Sequence, residues 1–333
     1  APQEVTEALK EAVDHRVYGY TLPSKELQQT IVDRMAKLYD WQIKAEDIIF
    51  LPGVVCALNI ACRAVGDSGD EVLMTQPVYP PFLSAPYLSG RKTRAIMLKE
   101  KDQQWEMDFE AISEAMNERT KLYLLCQPHN PVGRVYSRDE LKNLTELCLK
   151  NDLVICSDEI HCDLILDEEK RATYRPTATI SDEVAQSCIT LMAPSKTFNL
   201  PGLACSFAII QNESLRRRFT RVMRGIVPHV NSLGYAACHA AYRDGEVWHS
   251  SLLEYLKGNR DYIDSYLKEH CPQVKMSPVE ATYSAWFDLS ELKLEKPVAY
   301  FEGFGIGLSG GADFGLNTHL RLNFACPKET LEE

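Results

Sequence analysis

Apolar residues recurring at three- and four-residue spacing predict amphipathic helices over Gln3 to His15 and Ser24 to Tyr39. The segment between them, Val17-Tyr18-Gly19-Tyr20-Thr21, breaks that period with a glycine among aromatics. After Ile48-Ile49-Phe50-Leu51-Pro52, Gly53 opens a further helix over Val54 to Val65. Short apolar runs then read as strands at Glu71 to Thr75, Arg94 to Leu98, Lys121 to Cys126, Leu153 to Cys156, Cys188 to Met192 and Cys205 to Ile210. Helical patterns fall between them, over Asp108 to Asn117 and from the capping box Ser137-Arg138-Asp139-Glu140 to Lys150. This alternation predicts a mostly parallel sheet covered on both faces. Asn231 to His270 is almost continuously helical, with Leu253, Leu256 and Ile263 among its packing positions. Beyond Cys271-Pro272 the pattern turns to short strands, Tyr283 to Leu289 and Leu320 to Phe324, around the glycine-rich Gly303 to Gly315. The expected organisation is α/β: a large domain over residues 41–265 and a smaller α/β domain over 266–333, to which the N-terminal segment 1–40 contributes.

Composition narrows the function classes. With 45% hydrophobic and 25% charged residues among 333, the chain can bury a large core. A net charge of -11 gives no global field to attract nucleic acid or an anionic membrane, so any anionic ligand must be held by local donors. The 11 cysteines contain no CxxC pair and no Cys/His spacing suited to zinc, so no metal site is expected. Several, such as Cys126, Cys156, Cys188 and Cys205, lie inside apolar runs and read as free thiols in a reducing cytoplasm. No apolar run is long enough to span a membrane, and the start carries no signal-peptide pattern. The chain begins at Ala1 and stops at Glu333 in what reads as the first turn of a helix, so trimmed ends are expected.

Candidate chemistry collects where predicted strands end. Lys196 lies in Ala193-Pro194-Ser195-Lys196-Thr197-Phe198-Asn199-Leu200-Pro201-Gly202, directly after an apolar strand, where a partly desolvated amine is poised to form a Schiff base. Gln127-Pro128-His129-Asn130-Pro131-Val132-Gly133 and Cys156-Ser157-Asp158-Glu159-Ile160-His161 follow two other strands, and Leu320-Arg321-Leu322-Asn323 lies downstream. Singly each is weak: Asn-Pro marks a turn, and Asp after a strand often caps a helix.

Together and in this order, the four motifs resemble the fold type I pyridoxal-phosphate enzymes, and the resemblance spans essentially the whole chain. It implies a three-layer transferase-like fold, pyridoxal 5'-phosphate as cofactor, and a homodimer with shared active sites acting on a small amino acid. By that resemblance Lys196 carries the cofactor aldehyde and serves as general base, Asp158 pairs with the pyridine nitrogen, Asn130 donates to the phenolic oxygen, and Arg321 binds the substrate carboxylate. The phosphate is expected at the helix N-terminus formed by Gly53, Val54 and Val55, with the Ser195 hydroxyl adding a donor. Tyr79, in Gln76-Pro77-Val78-Tyr79-Pro80-Pro81-Phe82, is the candidate to stack on the ring, and Tyr20 to reach the phosphate of a neighbouring subunit. Two positions depart from the ordinary aminotransferase pattern. His161 stands where a Tyr is usual, and Ala204 where an Arg usually holds the phosphate. Both look like the MalY/PatB-type branch of cystathionine β-lyases and related carbon–sulfur lyases. The expected activity is β-elimination from L-cystathionine or a related sulfur amino acid. An aminotransferase, sharing the same cofactor shell, is the alternative, and a catalytically silent binding or regulatory domain the third reading.

Overall fold

A computed structural model describes residues 1–333. Its larger sheet has seven strands: β1 (Ile48–Leu51), β2 (Glu71–Gln76), β3 (Lys92–Met97), β4 (Thr120–Cys126), β5 (Val154–Asp158), β6 (Cys188–Met192) and β7 (Ser206–Ile209). In space their order is β1-β7-β6-β5-β4-β2-β3. All neighbours are parallel except β7, which runs against β6 and β1. The central strands are apolar on both faces because both faces are covered: Leu122, Tyr123, Leu124, Ile155 and Ile189 are buried. The alternating pattern along the chain therefore translates directly into the sheet.

The helices that matter for position are α1 (Gln3–Asp14), α2 (Lys25–Tyr39), α3 (Val54–Ala64), α4 (Pro80–Leu88), α5 (Phe109–Ala115), α6 (Arg138–Lys150), α7 (Ser232–Asp244) and α8 (Glu246–His270). α6 starts as its sequence requires: Ser137 Oγ accepts from the Glu140 N–H, and the Glu140 carboxylate accepts from the Ser137 N–H. The long helical pattern is two helices, broken at Gly245. A Cβ there would stand 2.5 Å from the Ala241 carbonyl and 2.7 Å from Phe198, so glycine permits the close approach at the junction. α4 is a helix that the sequence pattern hid behind Pro80, Pro81 and Pro86. Two of those prolines occupy its first turn, where a missing N–H costs nothing.

A second sheet is wholly antiparallel, in the order β8 (Lys275–Met276), β9 (Ser284–Asp288), β11 (His319–Asn323) and β10 (Ser309–Gly310). Leu253, Leu256 and Ile263 of α8 pack with Ala285, Phe287 and Leu320 of this sheet. Residues 1–40, the segment expected to contribute to this smaller unit, carry buried side chains on α1 and α2. Val5 of α1 packs with Phe198 and Ala237, and Leu27, Ile31 and Met35 of α2 join the core of the larger sheet. The helical period reveals which face of α1 and α2 is apolar, but not which surface it meets.

Candidate active site

Four parallel neighbours, β2, β4, β5 and β6, deliver their carboxyl ends to one edge of the larger sheet, the place where open α/β sheets hold ligands. β11 of the small sheet faces that edge. Between them lies a cavity of about 360 Å³ lined by Gly53, Val54, Val55, Tyr79, Asn130, Asp158, His161, Ser195, Lys196, Ala204 and Arg321. Every site residue expected from sequence is therefore brought together except Tyr20. That side chain is fully exposed on the segment between α1 and α2, outside the cavity.

Asp158 is the last residue of β5, and its backbone is pinned on both sides. The Gln127 N–H donates to the Asp158 carbonyl at 2.9 Å, and the Glu159 N–H donates to the Leu191 carbonyl at 2.9 Å. Its carboxylate accepts one protein hydrogen bond, from the Ile160 N–H at 3.1 Å, and caps no helix. Burial pushes its pKa up to about 7, with neighbouring Glu159 adding to the rise and the Ile160 N–H and Lys196 opposing it. Lys196 is held below the ordinary lysine range by burial and by Arg321, against the pull of Asp158. A lysine so depressed gives up its proton more readily, as a nucleophile or base must.

Asn130 and Arg321 are joined. The Arg321 guanidinium donates to Asn130 Oδ1 at 3.2 Å and to Ser309 Oγ at 3.3 Å, and lies over the Phe314 ring at 4.8 Å. With its oxygen so used, Asn130 keeps its amide N–H groups to donate. Tyr79 is fixed to the same turn by its backbone N–H, which donates to the Asn130 carbonyl at 3.0 Å. His129 ties the two turns from behind: its ring nitrogens meet the Pro77 carbonyl at 2.8 Å and the Tyr136 hydroxyl at 3.0 Å. Burial lowers the His129 pKa to about 4, so the ring is neutral. His161 is also neutral, pushed down to about 3 by burial and by Lys196 and Arg321.

These residues fit pyridoxal phosphate. His161 Nδ1 and Arg321 Nε are buried polar atoms with no protein partner, both belonging to residues that line the cavity. Unpaired buried polar groups are costly, and a polar ligand that bonds them removes the cost. The first N–H groups of α3, which has no side-chain N-cap, open on the same space beside Ser195, as an anion site requires. Cation, carboxylate, amide and guanidinium are thus spaced around one volume sized for a small ligand.

Sequence reasoning missed several lining residues. Ser284 and Asn323 stand at ends of β9 and β11, with Tyr283 just before β9; Cys126 ends β4, and Ser206 begins β7 with Cys205 just before it. Tyr283 packs edge-on to His161 with ring centroids 5.8 Å apart. No local signal marks it, because its place depends on how the two sheets meet. Asn323 closes the Leu320-Arg321-Leu322-Asn323 motif, and its alternation with Arg321 along β11 was the available clue.

This fold and site define a pyridoxal-phosphate enzyme of the open α/β type. The chain belongs to the aminotransferase class I and II family, whose model matches residues 1–333. Cystathionine β-lyase PatB of Bacillus subtilis is 36% identical over 340 residues, covering 100% of this chain and 87% of PatB. The crystal structure of OvoB superposes with a TM-score of 0.96 at 41% identity, covering 100% of this chain and 87% of that one. The PLP-bound C-S lyase of Staphylococcus hominis gives a TM-score of 0.92 at 31% identity, covering 99% and 85%.

Proposed function

We propose that the protein is a pyridoxal-phosphate-dependent carbon–sulfur β-lyase, which converts L-cystathionine or a related sulfur amino acid to a thiol, pyruvate and ammonia. The observation that carries this reading is that His161 and Ala204, the two departures from the aminotransferase pattern, line the same cavity as Lys196, Asp158, Asn130 and Arg321. Similarity to a cystathionine β-lyase and to a C-S lyase supports it.

When bound, pyridoxal phosphate supplies the aldehyde that takes up the substrate amine and the ring that draws electron density from Cα. Asp158 would keep a proton on the pyridine nitrogen, Asn130 and His161 would face the phenolic oxygen with Asn130 as the donor, and Tyr79 would pack on the ring. The α3 N-terminus at Gly53, Val54 and Val55 would hold the phosphate together with Ser195. Ala204 leaves no guanidinium there, so backbone amides carry more of that work. Arg321 grips the α-carboxylate and turns Cα toward Lys196. Lys196 Nζ, its proton affinity lowered by burial and Arg321, removes the Cα proton. The electron pair left on Cα forms the Cα–Cβ double bond as the Cβ–S bond breaks, and sulfur leaves as thiolate. The released enamine takes up water to give pyruvate and ammonia.

The assembly we infer is a homodimer, in which Tyr20 of one subunit meets the phosphate in the other. Its support is the exposed run Val17, Tyr18, Tyr20 and Leu22, which has no covering surface within the chain.

Incubation of the cofactor-loaded protein with L-cystathionine and no keto acid tests the activity. Equal release of pyruvate and thiol is expected. Amino transfer only once a keto acid is added would make it an aminotransferase, and bound cofactor without turnover of any sulfur amino acid or keto acid would make it a silent binding domain.

A further inference from the structure

Glu159 follows Asp158 directly and is completely buried. Successive residues of extended chain point to opposite faces, so Glu159 turns away from the cavity that Asp158 lines. Behind the strand its carboxyl group accepts three hydrogen bonds. One oxygen accepts from Ser157 Oγ at 2.8 Å and from the Thr177 N–H at 2.9 Å, and the other accepts from the Tyr174 hydroxyl. Ser157 Oγ and Thr177 Oγ1 also meet at 3.1 Å. Glu159 has no lysine or arginine partner, and the titratable groups that feel its charge are Asp158, Cys162, Tyr174 and Cys188.

A buried carboxyl group held only by neutral donors is a poor way to add stability, since an apolar side chain of similar size avoids the desolvation cost. What the arrangement provides is direction. The Asp158 side chain has one protein hydrogen bond of its own, so its aim depends on the backbone at residues 158 and 159. That backbone is anchored by Leu191 on one side, by Gln127 on the other, and by the Glu159 carboxyl group from behind.

We propose that Glu159 is the positioning residue for Asp158: its attachment to Ser157, Thr177 and Tyr174 fixes the carboxylate that meets the cofactor's pyridine nitrogen. The proposal rests on the cofactor reading given above. It assigns Tyr174 and Thr177, which lie outside the cavity, to the support of the site. It also accounts for a short segment, Tyr174 to Thr177, that is far from Asp158 in sequence yet closes behind it. Burial raises the Glu159 pKa while its three donors oppose the rise, so their loss makes the carboxyl group easier to protonate.

The test compares wild type with Glu159→Gln and with the milder Tyr174→Phe, measuring thermal stability without cofactor, cofactor affinity of the apoprotein, and the pH midpoint of the Lys196 Schiff-base absorption. Wild type must first bind pyridoxal phosphate at Lys196; if it does not, the cofactor reading fails, whatever the variants do. Given that binding, Glu159→Gln is expected to weaken cofactor affinity about tenfold or more and to lower the pH midpoint, because a misdirected Asp158 gives less support to positive charge on the cofactor. Tyr174→Phe should move both readouts the same way by less, which keeps the test open should Glu159→Gln fail to fold. Lower thermal stability with unchanged affinity and unchanged midpoint in the folded variants would overturn the proposal and leave Glu159 as structural support only.

Discussion

Asp158 carries opposite costs with and without a cation beside it. In the cofactor-free protein its pKa is raised from the ordinary carboxyl range to about 7, so between those values the unfolded chain has released a proton that the folded chain still holds. Stability therefore falls as pH rises through that window, and the penalty is fully present above pH 7. Asp158→Asn removes the ionisation and keeps an oxygen for the Ile160 N–H. It should raise the apoprotein's melting temperature at pH 8, with the difference vanishing below about pH 4. The same variant should bind pyridoxal phosphate more weakly at pH 8, since the lost charge is the one proposed to pair with the pyridine nitrogen. Equal melting temperatures at pH 8 would show that Asp158 is not strained by its burial. Arg321 makes a separate prediction. Arg321→Ala should raise KM for the amino acid by roughly tenfold to a hundredfold while cofactor content stays unchanged, because a charge-assisted fork to a carboxylate is worth about 1.5–3 kcal/mol. An unaltered KM would remove Arg321 from substrate binding.

The elements differ in how far the sequence exposes them. The buried parallel strands were legible because each is a short apolar run closed by a turn signal, and Asn130, Asp158 and Lys196 were legible because they follow such runs. α4 was not, since Pro80, Pro81 and Pro86 read as a loop and helix formation there depends on burying Phe82 and Ala85. Tyr283 and the supporting pair Glu159 and Tyr174 were also hidden as a working group. Their spacing in sequence carries no period, and only the packing of distant segments joins them. α3 shows the opposite case, in which a lone glycine before an apolar helix marked the candidate anion site. It also yields a prediction with opposite signs in two assays. Val55 is 41% exposed in the first turn, so Val55→Asp adds charge there without burying it. Aspartate at a helix start should stabilise the apoprotein by about 0.3–1 kcal/mol. By occupying the same amides it should weaken pyridoxal-phosphate binding, measured by titrating the apoprotein. Unchanged affinity would place the phosphate elsewhere.

Tyr20 is fully exposed and lies outside the cavity, on a segment that presents Val17, Tyr18 and Leu22 beside it. In a dimer with two-fold symmetry, whatever Tyr20 does for the partner's site the partner's Tyr20 does in return. Complementation between two defective chains separates this arrangement from one in which Tyr20 serves its own subunit. A Lys196→Ala chain lacks the amine but can lend its Tyr20, whereas a Tyr20→Ala chain keeps its Lys196 and needs that Tyr20 from its partner. When the two are refolded together, random pairing makes about half of the dimers mixed, and each mixed dimer has one intact site, so about a quarter of all sites should show wild-type turnover. If Tyr20 acted within its own chain, every site in the mixture would lack either Lys196 or Tyr20, and activity would not exceed that of the Tyr20→Ala protein scaled by its share. A sedimentation measurement on the same mixture fixes the fraction of dimers, so that a failure to associate is read directly as a failure of the shared-site assembly.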